Sequence, residues 1–221
     1  MRMSLKERSF RWFVFFIGLS IMALGIVLTI KADLGASPWD VLHIGLYMQF
    51  GLTIGSWAII VGVLVLFISG LMLKKIPQIG AFLNMVTVGV FIDIYLLLPI
   101  IKTPDTLIGK FIMLAAGIFI LTYGMGLYIS ARCGAGPRDS LMIALVEKTS
   151  LSVGKIRGAI ELIVLGIGWV LGGPVFIGTV LFTVCIGYFT GLAVPQTQKF
   201  TDYLIQVIFY KQKENLMNLD Q

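Results

Sequence analysis

The stretch Gly35-Ala36-Ser37-Pro38-Trp39-Asp40-Val41-Leu42 returns ninety-nine residues later as Gly134-Ala135-Gly136-Pro137-Arg138-Asp139-Ser140-Leu141. At the same offset Leu52-Thr53-Ile54-Gly55 matches Leu151-Ser152-Val153-Gly154, and Gly18 and Gly25 fall on Gly117 and Gly124. After a one-residue slip, Ile79-Gly80 and Gly89 match Ile177-Gly178 and Gly187. Apolar segments resemble one another by chance, so the polar motifs between them carry the weight. A shared G-A-x-P-x-D followed by an aligned hydroxyl residue, Ile or Val, and Gly marks a duplication. The chain is therefore expected to divide into a first repeat, residues 1–101, a second repeat, residues 102–195, and a tail, residues 196–221.

The segments around these motifs were written for lipid. Hydrophobic residues make up 58% of the 221-residue chain and charged residues 13%, with a mean hydropathy of +0.97. Soluble domains average about 45–50% apolar and about 25% charged. Crossing about 30 Å of hydrocarbon takes roughly 20 apolar residues. Such stretches occur at Arg11–Ile30, Ile54–Leu73 and Pro77–Leu98, and again at Leu107–Ile129, Ile156–Leu171 and Val175–Val194. The fifth is somewhat short. The basic N-terminus precedes an apolar run too long for a signal-peptide core, so that run reads as a retained first span. Between the first and second stretch of each copy lies a short helical piece, Pro38–Phe50 and Pro137–Lys148. Thirteen residues give about 20 Å of helix, right for a re-entrant or broken helix.

Lysine and arginine choose between the possible topologies, because they concentrate on the cytoplasmic side. If the short pieces do not cross and the N-terminus is cytoplasmic, only Lys31, Lys102 and Lys110 lie outside, and the remaining fourteen basic residues lie inside. If the pieces cross, the count falls to twelve against five. The expectation is an all-α membrane protein with six transmembrane helices, two short re-entrant helices and both termini in the cytoplasm. Three spans per copy invert the second copy relative to the first, the recurrent plan of secondary transporters. Past Pro195, the residues Phe200, Tyr203, Leu204, Val207 and Ile208 recur at helical spacing, as in an amphipathic surface helix. Residues Glu214–Gln221 are expected to be disordered.

Within the repeated motif each residue type has a physical role. Gly35 and Gly134 permit positive φ, and Pro38 and Pro137 suit a first helical turn. Asp40 and Asp139 then fall near the third helical position, where a carboxylate caps free N–H groups and complements the dipole. Ser37-x-x-Asp40 is itself a capping-box pattern. A carboxylate at a helix break in the membrane can equally bind a cation, a proton or a substrate amine, and both roles stay open. His43 follows Asp40 by one turn, but its counterpart is Met142, so that pair is outside the repeated design.

Other polar residues interrupt the apolar stretches. Glu161 lies one turn after Arg157, as in a local ion pair. Asn84 is expected to bond across helices, and Asp93 either does the same or lines a cavity. Trp39, Trp57 and Trp169 fall near span ends, like interface anchors, although Trp39 could also stack on a ligand. Gly62, Gly117, Gly124, Gly126, Gly166, Gly168, Gly178 and Gly187 point to close helix packing.

The net charge of +6 fits cytoplasmic loops better than nucleic acid, since no basic run is interleaved with aromatics. One histidine and two cysteines leave little for metal or cofactor chemistry, and no hydrolase or nucleotide motif is present. No cofactor and no enzymatic activity are expected; the anticipated partners are the lipid bilayer, a small solute and a further copy of the chain. The paired motifs Gly35–Leu42 and Gly134–Leu141, each following an apolar span, resemble the YczE/YyaS/YitT family of bacterial membrane proteins over essentially the whole chain. That resemblance implies a bacterial cytoplasmic-membrane location and supplies no substrate or catalytic residue. The leading expectation is a small-solute transporter or channel whose two broken helices form a central site. Asp40 and Asp139 would organise it, with Trp39, Arg138, His43 and Asp93 contributing. The alternative is a membrane accessory protein that organises a partner enzyme or lipid.

Overall fold

A computed structural model describes residues 4–149 and 151–211. Arg2, Lys213 and the Glu214–Gln221 stretch expected to be disordered lie outside the described residues. Among the described residues the chain is helical throughout: α1 Leu5–Lys31, α2 Pro38–Phe50, α3 Ile54–Leu73, α4 Ile79–Leu97, α5 Leu107–Ser130, α6 Pro137–Thr149, α7 Val153–Val170 and α8 Ile177–Ile205, followed by a π-helical turn, Gln206–Lys211. Five helices are long and apolar enough to cross a membrane, namely α1, α3, α4, α5 and α8. The sixth expected span, α7, has 18 residues and carries Lys155, Arg157 and Glu161.

Local chemistry fixes the helix ends. Ser4 Oγ accepts from the Glu7 amide at 3.1 Å, and Lys31 closes the last turn of α1, so opposite charges complement the two ends of the dipole. Thr53 and Thr106 cap α3 and α5 in the same way, accepting from Ser56 and Gly109. One boundary differs from expectation. The helix α8 continues through Pro195 to Ile205, and the residues beyond Pro195 therefore prolong a span instead of starting a new helix. A proline inside a helix forfeits one backbone hydrogen bond, a loss tolerated in membrane helices whose freed groups find other donors. The carbonyl Pro195 leaves without its amide is that of Gly191; Thr197 Oγ1 donates separately to the carbonyls of Ala193 and Val194 at 2.8 and 3.0 Å. Along this extension Phe200, Tyr203, Val207 and Ile208 point outward, while Thr201 is buried and hydrogen-bonds Ser130 at 2.7 Å.

The core is the seam between α1 and α5. Phe15, Leu19, Ala23 and Val27 are fully buried on α1 and meet Leu114, Ile118 and Leu121 of α5, with α4 and α8 closing the flanks. The approach is backbone to backbone. A Cβ on Gly25 would lie 2.3 Å from the Leu121 nitrogen, and one on Gly124 would lie 2.3 Å from that of Met22. Small residues permit such contact, and dispersion between closely apposed helices is a main driving force in lipid. Not every glycine serves packing, however. Gly166 and Gly187, expected at close contacts, face open space.

The short helices pack across the chain midpoint: α2 lies on α7, and α6 lies on α3. Their leading loops share one conformation. Asp33 and Arg132 adopt φ of +53° and +57°, followed by Gly35 at +100° and Gly134 at +145°. Gly178 at the start of α8 donates to the Leu34 carbonyl at 2.6 Å, and Gly80 at the start of α4 abuts the Cys133 carbonyl. Asp33 pairs with Lys110 at 2.6 Å, and Arg132 with Asp202 at 3.0 Å.

Candidate functional site

The N-terminal ends of α2 and α6 meet at one cavity of about 140 Å³. Ser37, Pro38 and Trp39 line it from one helix start, and Gly136, Pro137, Arg138 and Asp139 from the other. Its walls are Met22 and Ile26 of α1, Asn84 and Val88 of α4, Leu121, Met125 and Tyr128 of α5, and Phe182 and Ile186 of α8; Met142 of α6 and Arg157, Ile160 and Glu161 of α7 complete the lining. Largely apolar walls with a few convergent polar groups are the usual make-up of a small-molecule site.

The two helix starts are built differently. At α2 the capping box closes on itself: Ser37 Oγ accepts from the Asp40 amide at 3.2 Å and also donates to the Asp40 carboxylate. Asp40 is 1% exposed. Its second carboxylate oxygen lies 3.8 Å from His43 Nδ1. Asp40 and His43 thus sit just behind the cavity wall and are absent from its lining. At α6 the residue in the place of Ser37 is Gly136, which has no side chain with which to cap. Asp139 accepts a hydrogen bond from the Tyr128 hydroxyl at 3.0 Å instead. Arg138, which replaces Trp39, stacks its guanidinium 4.8 Å from the centre of the Trp39 ring, within cation–π range.

Several expected roles are revised by this geometry. Trp39 is buried and lines the cavity, so it is not an interface anchor. Trp169 remains exposed, and Trp57 donates to the Gly51 carbonyl at 2.8 Å. Asp93 lies away from the cavity lining. Its carboxylate accepts from Thr53 Oγ1 at 2.5 Å and from the Gly55 amide at 2.8 Å, tying the start of α3 to α4. Arg157 and Glu161 form the local pair at 3.1 Å, yet both also face the cavity. Asn84 was expected to bond across helices, but its Nδ2 is buried with no hydrogen-bond partner among the described residues. Tyr128 was the residue sequence reasoning missed. A tyrosine near the end of an apolar span reads as an interface anchor, and only the tertiary fold brings it to Asp139.

Comparison with known proteins places this architecture among relatives without supplying an activity. The chain is 42% identical over 202 residues to the uncharacterized membrane protein YczE of Bacillus subtilis, covering 90% of this chain and 93% of that protein. It is 34% identical to an uncharacterized protein of Haemophilus influenzae, over 76% of each. It is 30% identical to the uncharacterized protein YyaS of B. subtilis, over 77% of this chain and 85% of the relative. No solved structure matches. Residues 9–195 match the model of DUF6198, a family of unknown function. With its apolar helices and its likeness to the membrane protein YczE, the chain is a membrane protein belonging to the DUF6198 family.

Proposed function

We propose that this protein is a small-solute transporter or channel of the bacterial cytoplasmic membrane, with its solute site in the cavity between α2 and α6. The observation that carries the reading is the meeting of two helix starts, headed by Pro38 and Pro137, at one cavity. Half-helix N-termini converging near the midplane form the substrate site in many secondary transporters. Six spans, α1, α3, α4, α5, α7 and α8, would carry the two short helices inward from opposite faces, with both termini cytoplasmic. The reading of two inverted copies is supported by the matched loops at Asp33–Gly35 and Arg132–Gly134 and by the reciprocal packing of α2 on α7 and α6 on α3. In this arrangement the protein moves its solute without transforming it.

Cysteine accessibility tests both parts. With Cys133 and Cys185 replaced by serine, Asp33→Cys and Arg132→Cys report the two loop faces to a membrane-impermeant maleimide. Opposite-face labelling is expected, and labelling of both from one side would sink the inverted topology. Met142→Cys, in the cavity wall, should be reached from both faces as the protein cycles. If reagent reaches it from a single face only, the chamber is no pathway and the transport reading fails.

A further inference from the structure

The α6 start is a helix N-terminus whose cap has been left out. In the first copy Ser37 supplies the cap, and the Asp40 amide is satisfied by its hydroxyl. In the second, the amides of Arg138 and Asp139 have no acceptor among the described residues. Gly136 lies where the serine would be. Its φ is ordinary, since the positive-φ glycines are Gly35, Gly51, Gly134 and Gly172, so backbone conformation does not require glycine here. Space and chemistry do differ: an added Cβ would stand 3.3–3.5 Å from the Asn84 amide group. Asn84 is 5% exposed, lines the cavity, and carries a donor, Nδ2, without an acceptor. Two backbone N–H groups, Asn84 Nδ2 and the Arg138 guanidinium therefore border one gap as donors, with Asn84 Oδ1 beside them as an acceptor, 3.3 Å from an added Gly136 Cβ. Asn84 Nδ2 is the buried, unpaired one among them; such a donor costs about 1–3 kcal/mol, which a ligand acceptor removes on binding.

We propose that this gap is the subsite for the carboxylate of a small organic acid, which completes the α6 cap in place of the missing serine. Carboxylates bind readily at helix N-termini, where free N–H groups and the dipole converge, and the adjacent guanidinium adds a planar donor fork. Asp139 and Glu161 are like charges in the same lining, but Asp139 is turned onto Tyr128 and Glu161 is paired with Arg157 at 3.1 Å. The remaining walls, among them Met22, Val88, Leu121, Met125 and Phe182, take an apolar body. Their volume is close to that of an engineered cavity of about 150 Å³ that binds benzene, so the body is limited to a few carbon atoms. This inference rests on the reading of the chamber as a solute site.

The test uses the full chain in lipid nanodiscs and radiolabelled butyrate, with butyramide, butylamine and inorganic phosphate as competitors. Butyrate is expected to bind, butyramide to compete at least tenfold less well, and butylamine and phosphate not to compete. Gly136→Ser restores the side chain found in the first copy and should weaken butyrate at least tenfold, while the thermal melt of the protein is not lowered, because the serine caps α6 itself. Asn84→Leu should do the same through the other donor. Equal competition by butyramide, preference for butylamine, or undiminished binding in Gly136→Ser would each overturn the proposal. If butyrate fails to bind while Met142→Cys is reached from both faces, the carboxylate assignment falls and the pathway stands. If butyrate binds but that cysteine is reached from one face, the subsite stands and transport falls.

Discussion

Replacing Gly25 by alanine tests whether the α1–α5 seam is held by backbone contact. The new Cβ would sit 2.3 Å from the Leu121 nitrogen and 2.6 Å from its Cα, where ordinary contact begins at 3.4 Å. Both partners are helix backbone, so no side chain can swing aside, and the helices must part locally by about 1 Å. A gap of 0.5–1 Å forfeits about a quarter to a half of each dispersion well, and overpacking of this kind costs about 1–3 kcal/mol. The paired control is Gly166→Ala, whose Cβ would meet nothing within 4 Å; it should stay within about 0.5 kcal/mol of the parent. Both helices persist in the membrane-unfolded state, so helix propensity largely cancels from the comparison. Titration with denaturing detergent in mixed micelles, read by fluorescence, gives the two differences directly. Gly124→Ala attacks the same seam from the other side, 2.3 Å from the Met22 nitrogen. Once one substitution has parted the helices the second costs less, so the double variant should lose less than the sum of the singles. Equal effects from Gly25→Ala and Gly166→Ala would refute the seam argument.

Other sites give sharper local readouts. Ser37→Ala removes an N-cap, worth about 1 kcal/mol, and a hydrogen bond to a buried carboxylate, worth about 1.5–3 kcal/mol. The same micelle titration should show a loss of at least about 2 kcal/mol, with Ser37→Thr near the parent. Asp93→Ala frees the start of α3 from α4 and should speed amide exchange at Gly55 at least tenfold, with no change in Met142→Cys labelling. Burial pushes the Cys133 thiol up from its ordinary value, so less thiolate is present at a given pH. Its alkylation in a Cys185→Ser background should rise with pH along a curve displaced to higher pH than that of glutathione; a coincident curve would contradict the burial.

Sequence alone gave the helical pieces and the chamber's two heads to different degrees. The bounds Pro38–Phe50 and Ile54–Leu73 agree with α2 and α3 residue for residue, because Pro, Ser, Thr and Gly punctuate them chemically. Pro195 misled, since a proline reads as a helix stop in water, whereas a helix in lipid has no solvent to take its place. In the site, Trp39, Arg138 and Asp139 were legible from the repeated motif, which puts them beside a helix start. Asp93 was not, because its partners Thr53 and Gly55 lie forty residues away and no local pattern joins them. Asn84 and Tyr128 matter through what faces them across the bundle, and facing residues leave no trace in spacing. The contrast between Ser37 and Gly136 was visible all along as a mismatch in an otherwise aligned motif. Its meaning required the unpaired Asn84 donor beside it.

The crossed packing of the short helices bears on how the chain is made. The contacts of α2 lie chiefly on α7, which begins at Val153, about a hundred residues after α2 ends at Phe50. At a synthesis rate of about 5–20 residues per second, the ribosome needs about 5–20 s to supply that partner. During that interval α2 has left the ribosome without the surface that will cover Val41, Leu42 and Gly45. The first short helix therefore stays incompletely packed until the second half of the chain arrives.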